Sequence, residues 1–263
     1  MNVTTPTVAA LFTSMGIALP VAAQFHAGDI GLLVHEERIQ TGAFDPSSGE
    51  LAPIRVFGGT FGDSGFPGFT SNPGFDAPSG TFVSGTRVGF DAVAGLRRFT
   101  GDGLEIADDA QLRVSFLTLS RTIGTEPIAG FDLAVQSNGG FHRHLNFTLE
   151  GVSTPSPAPG VYVVEFELYS TDAAVERSEP FFIAFDFEAG GAARQQAIDW
   201  IVANLLAPPC PGDLDGDGTI GGGDLAVLLA GWGGSSPDLD GDGVVGGSDL
   251  AVLLSSWGEP CHP

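Results

Sequence analysis

Lysine is absent from this 263-residue chain, and all ten of its basic residues are arginine. Against them stand 32 acidic residues, which gives a formal net charge of −22. We expect no nucleic-acid binding, because phosphates would be repelled and no basic patch exists to release counterions. The acidity indicates an affinity for cations, or simply solubility outside the cell.

Long apolar runs are also scarce, and the one that exists lies at the amino terminus. Residues 1–23 end in the small-residue pattern Val21-Ala22-Ala23, which predicts a secretory signal peptide cleaved after Ala23. No Lys or Arg precedes the run, and a buried first strand or helix is the alternative. No other stretch approaches the roughly 18 apolar residues of a membrane span. We therefore expect a secreted or cell-surface protein with no transmembrane segment in its mature chain.

Cysteine occurs only twice, at Cys210 and Cys261. In an exported chain an even count favours a disulfide between the two, and pairing with another chain is the alternative. The two cysteines bracket an internal repeat, in which residues 213–233 and 238–258 match at 16 of 21 positions.

Each copy of the repeat opens with D-x-D-x-D-G and returns to aspartate at the twelfth position, which is the spacing of a calcium-binding loop. The carboxylates converge on one cation, the sixth-position glycine allows the sharp turn, and the seventh residue offers its carbonyl. The predicted ligands are Asp213, Asp215, Asp217, Thr219 and Asp224 in the first loop, and Asp238, Asp240, Asp242, Val244 and Asp249 in the second. The sequence thus predicts two bound Ca²⁺ ions.

Apolar residues follow each loop at helical spacing. They are Leu225, Leu228, Leu229 and Trp232 in the first copy, and Leu250, Leu253, Leu254 and Trp257 in the second. We expect one buried stripe per helix, with the two helices facing each other. Asp224 and Asp249 stand at the helix starts, where a carboxylate is also a favourable cap.

A loop followed by one helix, duplicated and flanked by a Cys-Pro-Gly-Asp start and a final Cys, resembles the dockerin module, in the variant that ends many exported planctomycete proteins. The resemblance covers about Cys210–Cys261 and implies two calcium ions and docking to a cohesin-like or other cell-surface protein. Cellulosomal dockerins carry Ser/Thr pairs at loop positions ten and eleven, where this chain has Gly222-Gly223 and Gly247-Ser248. That departure argues against a cellulosomal cohesin and leaves room for another surface-attachment role.

Residues 24–189 differ in composition. They are rich in Phe and Gly and contain short segments in which apolar and polar residues alternate with period two. Strands are predicted at residues 29–34, 81–90, 112–120, 141–149, 161–169 and 180–187, with a long loop at 57–80 and a helix at 192–206. About eight short strands without intervening helices favour an antiparallel β-sandwich. The predicted organisation is a signal peptide (1–23), a β-sandwich domain (24–189), a helical linker (190–209) and a calcium-binding module (210–263).

Histidine supplies the candidate chemistry of the β-domain. His142 and His144 lie on one predicted strand, so both rings project from the same face about 7 Å apart. Two imidazoles at that spacing can share a Zn²⁺ or Cu²⁺ ion, and His26 and Asp29 complete the site if the first strand is adjacent. Two hydrogen-bonding surface histidines are the alternative. Another alternative is chelation of copper or nickel by His26, which would be the third residue of the chain after cleavage of the signal peptide.

Several segments of the β-domain also resemble an exported bacterial family that includes cyanobacterial zinc-regulated proteins with a sorting tail. They are HAGDIGLLVHEERI (26–39), GTRVGF (85–90), GFHRHLNFTL (140–149), PGVYVVEFEL (159–168) and SEPFFIAF (178–185). The resemblance implies metal handling and transfers no catalytic residue.

Catalytic motifs are missing: the chain has no G-x-S-x-G, no H-E-x-x-H and no phosphate loop. We therefore expect a non-enzymatic protein. The alternative is a carbohydrate-binding or polysaccharide-hydrolysing β-sandwich delivered by the C-terminal module. Glu165 and Glu167 alternate with core residues, as on a solvated strand face, and no tryptophan lies in the predicted sandwich to stack on a sugar.

Overall fold

The structure is a computed structural model, and it describes residues 28–154, 156–206 and 212–258. The predicted signal peptide, His26, Cys210 and Cys261 lie outside the described residues. The strands are β1 (Ile30–His35), β2 (Arg38–Phe44), β3 (Leu51–Pro53), β4 (Val56–Thr60), β5 (Phe69–Thr70), β6 (Phe75–Ala77), β7 (Arg87–Ala92), β8 (Arg97–Phe99), β9 (Leu104–Ile106), β10 (Ala110–Phe116), β11 (Leu119–Ile123), β12 (Ile128–Ala134), β13 (Phe141–Arg143), β14 (Asn146–Gly151), β15 (Gly160–Ser170) and β16 (Phe181–Phe187). The helices are α1 (Gly191–Ile201), which continues into a π-helical turn (Val202–Leu206), α2 (Gly222–Ala230) and α3 (Gly247–Ser255).

The strands form three sheets, so the predicted mainly β fold is confirmed. Their orders are β13-β6-β1-β2-β3, β11-β10-β14-β5 and β12-β7-β15-β16-β4, with β8 joining β15 to β9 in the third. The pairs β1–β6 and β4–β16 are parallel, so antiparallel pairing throughout is wrong. Parallel neighbours need a long crossover connection, and several other strands separate the members of each pair along the chain.

Strand β15 shows how period-two alternation positions the core. Its even-numbered residues in 162–168 are at most 3% exposed and belong to a core to which all three sheets contribute. On the opposite face, Val161 and Val163 are buried with Ala197 and Ile201 of α1. The helix predicted as a linker therefore packs against the third sheet.

Four sequence-based boundaries in the β region are wrong in part. The strand predicted at 112–120 contains a hairpin turn, where Leu117 has a φ of 52°. The one at 141–149 divides into β13 and β14, which belong to different sheets. The one at 81–90 starts only at Arg87, and the loop at 57–80 contains β5 and β6. Alternation does not mark where a chain turns or changes sheets, and very short strands depend on backbone pairing with distant partners.

Residues 212–258 form two loop–helix units that share a small core. The core residues are Ile220, Leu228, Val245 and Leu253, with Leu214, Leu225, Leu239 and Leu250 partly buried around them. The units also exchange backbone hydrogen bonds: Gly233 N donates to Val245 O at 2.9 Å, and Gly258 N donates to Ile220 O at 2.8 Å. These two bonds are equivalent under the 25-residue repeat. No helix in the described part of the chain is long and apolar enough to cross a membrane.

The predicted buried stripe is only half buried. Leu229, Trp232, Leu254 and Trp257 are 45–51% exposed, while Leu228 and Leu253 are fully buried. Two helices of nine residues each meet along one edge of their apolar faces, and the other edge stays in solvent.

Leu253→Ala should lower the free energy of unfolding of this region by about 2–5 kcal/mol, because it removes a fully buried side chain from a small core. Leu254→Ala, at the next residue and 50% exposed, should change it by less than about 0.5 kcal/mol. Denaturant unfolding of the full chain, followed by tryptophan fluorescence, measures both. Equal effects would contradict the packing described.

Candidate metal centres

Three groups of side chains each bring three metal-ligating atoms within 4.8 Å of one another. They are Asp213, Asp215 and Asp224; Asp238, Asp240 and Asp249; and Asp29, His142 and His144. All nine residues are ligands that the sequence predicts. Among the remaining predicted ligands, Asp217 and Asp242 are not members of these groups.

In the first loop, backbone N–H groups of the loop itself orient the carboxylates. Asp213 accepts hydrogen bonds from Gly216 N at 2.9 Å and Gly218 N at 3.1 Å, one on each oxygen. Asp215 accepts one from Asp217 N at 3.1 Å. Gly218, at the sixth position, has a φ of +85°, which favours glycine and produces the turn.

The second loop repeats this pattern residue by residue. Asp238 accepts from Gly241 N and Gly243 N, both at 2.8 Å, and Asp240 accepts from Asp242 N at 3.0 Å. Gly243 has a φ of +93°. The equivalence extends the sequence repeat to the geometry of the loops.

Asp224, at the third residue of α2, ties the helix to its loop. Its Oδ1 accepts from Leu214 N at 2.6 Å and Asp215 N at 3.1 Å, and its Oδ2 accepts from Gly221 N at 2.6 Å. The side chain is fully buried. Burial by itself would raise the pKa of Asp224, but these backbone donors outweigh it and hold the pKa below its ordinary value.

Asp249 plays the equivalent part in α3. Gly246 N donates to its Oδ2 at 2.6 Å, and Leu239 N and Asp240 N donate to its Oδ1 at 2.7 and 3.3 Å. The bond from Gly246, with those from Leu239 and Asp240, lowers the pKa of Asp249 against the opposing effect of burial. Both anchors therefore stay charged at neutral pH.

The aspartates at the fifth loop position accept hydrogen bonds from the backbone within each turn. Asp217 accepts from Thr219 N, and Asp242 accepts from Val244 N, each at 2.8 Å. Thr219 and Val244 are exposed. Positions one, three and twelve thus converge in each loop, while position five orients the seventh residue.

The third group joins segments that are distant along the chain. His144 follows the end of β13, so the prediction that both histidines project from one face of a single strand is wrong, yet their ring centroids lie 5.2 Å apart. Asp29 precedes β1 and reaches them across the end of β6, which lies between β1 and β13. Sequence reasoning missed Asp76, whose Oδ1 lies 3.5 Å from His142 Nδ1, because Asp76 stands in the segment predicted as a loop.

Glu165 and Glu167, the carboxylates considered for hydrolysis, lie in ion pairs. Glu165 pairs with Arg97, and Glu167 pairs with Arg177, which also contacts Asp91. A charge-neutralised carboxylate is a poor general acid, so these pairs do not favour a glycosidase site.

Comparison with known proteins adds no assignment. The chain matches no protein-family model and no curated protein.

Asp249→Asn should reduce the hydrogen-exchange protection of the Leu239, Asp240 and Gly246 amides by about five- to tenfold, since asparagine has one acceptor oxygen for three donors. Asp242→Asn makes the same charge change at a side chain that accepts one N–H group, and it should leave those amides protected. Exchange followed by mass spectrometry or NMR without added calcium compares the two. A similar loss in both variants would contradict the anchoring role of Asp249.

Proposed function

We propose that residues 210–263 form a dockerin-like module that binds two Ca²⁺ ions and attaches an exported β-sandwich protein to an extracellular partner. The observation that carries the proposal is the convergence of three carboxylates in each of two equivalent loops. Carboxylates this close repel one another unless a cation neutralises them. A donor set made of oxygen atoms alone suits a hard cation such as Ca²⁺.

Charge supports the same assignment. Residues 210–263 carry nine acidic side chains and no basic one, so their formal charge is −9, and eight of the nine acids lie in the two loops. Two Ca²⁺ ions would bring that charge to about −5. In each loop, a cation held by the first, third and twelfth positions would also draw in the fifth-position carboxylate and the carbonyl of the seventh residue.

The exposed edges of α2 and α3 support attachment. Leu229 of α2 corresponds under the repeat to Leu254 of α3, and Trp232 and Trp257 each lie two residues past the end of their helix. All four are about half exposed. Exposed tryptophan side chains are favourable anchors for a protein partner. The partner class we favour is a cohesin-like or other cell-surface protein.

The remaining parts of the proposal rest on sequence and on the shared β core. A core to which three sheets contribute supports a sandwich architecture for the β-domain. The predicted signal peptide at 1–23 supports export, and outside the cell a Cys210–Cys261 disulfide would close the module.

The wild-type chain should bind two Ca²⁺ ions in a calorimetric titration. Asp213→Asn combined with Asp215→Asn should leave one site, because the first loop loses two of its three converging carboxylates. Glu105→Gln combined with Asp108→Asn is the control, since it makes the same charge change at exposed residues of the β-domain. No calcium binding by the wild type, or two intact sites in the loop variant, would refute the calcium assignment.

Attachment is tested on cell-envelope preparations from the producing organism, with calcium or with a calcium chelator. The wild type should be retained only with calcium, and Trp232→Ser combined with Trp257→Ser should reduce retention at least about tenfold, as expected for loss of hot-spot aromatics. Leu117→Ser, at an exposed apolar residue of the β-domain, should have no effect. Calcium-independent retention, or equal retention of both variants, would count against docking through these helices.

A further inference from the structure

Asp29 carries a buried oxygen that no hydrogen bond satisfies. Its side chain is 7% exposed, and its Oδ1 accepts from Gly74 N at 2.8 Å. Its Oδ2 is buried and accepts no hydrogen bond within the described structure. A buried carboxylate oxygen without a donor is costly, so a hydrogen-bond donor or a cation at this position would be stabilising.

The nearest candidate partner is His144, but its geometry is not that of a normal hydrogen bond. His144 Nε2 lies 3.4 Å from Asp29 Oδ2, beyond the usual 2.7–3.2 Å for an N–H donor. His144 Nδ1 lies 2.9 Å from the carbonyl oxygen of Ser71. Because a carbonyl only accepts, Nδ1 carries a proton and donates to Ser71, and Nε2 is the ring nitrogen that faces Asp29. A histidine that donates one ring N–H to a backbone carbonyl and turns its other nitrogen towards a carboxylate has the orientation of a metal-binding imidazole.

The distances suit a metal ion between these atoms. With metal–nitrogen distances of about 2.0–2.1 Å, two ligands of a tetrahedral ion stand about 3.3 Å apart, close to the 3.4 Å observed. The third donor, on His142, lies within 4.8 Å of the other two. The His142 side chain is 37% exposed, so this side of the group is open to solvent.

The surroundings of the site leave room for the His144 ring. Gly74 lies directly beneath it, and a Cβ at this position would stand 2.7 Å from His144 Nε2 and 2.9 Å from Asp29 Oδ1. Asp76 Oδ1 lies 3.5 Å from His142 Nδ1, so a second carboxylate borders the group.

We propose that Asp29, His142 and His144 bind a divalent transition-metal ion of the zinc class at the end of the first sheet. Two imidazole nitrogens and one carboxylate oxygen favour such an ion over Ca²⁺ or Mg²⁺. Three protein ligands leave a fourth position on the half-exposed side, next to His142. The site is independent of the calcium loops and stands whether or not the C-terminal module docks to a partner.

Zinc titration of the full, chelator-treated chain in saturating Ca²⁺ tests the proposal, since the calcium loops are then filled. One Zn²⁺ should bind per chain, and His144→Ala or Asp29→Asn should weaken binding by more than about 100-fold. Gly74→Ala should also weaken it while keeping all three donors. The control His35→Ala removes an exposed histidine of β1 and should have no effect.

Co²⁺ provides a second readout that does not depend on affinity. With Co²⁺ bound, the wild type should show the visible absorption of low-symmetry nitrogen and oxygen coordination. His142→Ala, at the sheet edge, should change that spectrum. The thermal unfolding midpoint of the metal-free variant should equal that of the metal-free wild type. Two results would overturn the proposal. One is zinc binding that survives in His144→Ala. The other is no zinc binding together with a doubly protonated His144 in NMR spectra, which would mean an imidazolium–carboxylate pair only.

Discussion

Buried aspartates that accept hydrogen bonds from backbone N–H groups join separate segments of this chain. Asp224 and Asp249 each receive three such donors and join a loop to the start of a helix. Asp29 joins the start of β1 to Gly74 in the same way, with one difference. Both oxygens of the helix anchors are satisfied by the backbone, whereas Asp29 keeps one buried oxygen for another partner. Asp224 and Asp249 are therefore helix anchors as well as members of candidate metal groups, whereas Asp29 combines one anchoring bond with an oxygen that has no donor.

The distribution of charge follows from these roles. Seven of the ten arginines form ion pairs with carboxylates of the β-domain, so much of its acidity is locally compensated. The C-terminal region has no arginine, and its −9 charge lies almost wholly in the two loops. Carboxylates this close together repel one another, and a bound cation would relieve that repulsion. The net charge of −22 thus combines a partly paired β-domain with an unpaired acidic region that could hold cations.

Local features could be predicted from the sequence, and long-range ones could not. The loop geometry and the helix starts lie within 12 consecutive residues, so spacing alone predicts that Asp213, Asp215 and Asp224 converge. Trp232 and Trp257 lie two residues past the helix ends and are about half exposed, which an apolar stripe at helical spacing does not reveal. The His142–His144 pair was predicted from a single strand, although the chain changes sheets after Arg143. Gly74 and Asp76 come from a Gly- and Pro-rich segment whose short strand exists only by pairing with β1 and β13.

The candidate metal sites differ in the same way, because some are built from local residues and one is built from distant residues. Each acidic loop takes its ligands from one short segment, so a cation there acts on the local turn and on the small core beneath it. The Asp29–His142–His144 group is assembled from two segments that are distant along the chain, and it forms only when β1 and β13 are brought together through β6. An ion that binds only the folded arrangement stabilises it by linkage. Calcium at the loops and a transition metal at the first sheet would therefore stabilise different parts of the chain. Their donor sets, oxygen alone against nitrogen and oxygen, would favour different ions.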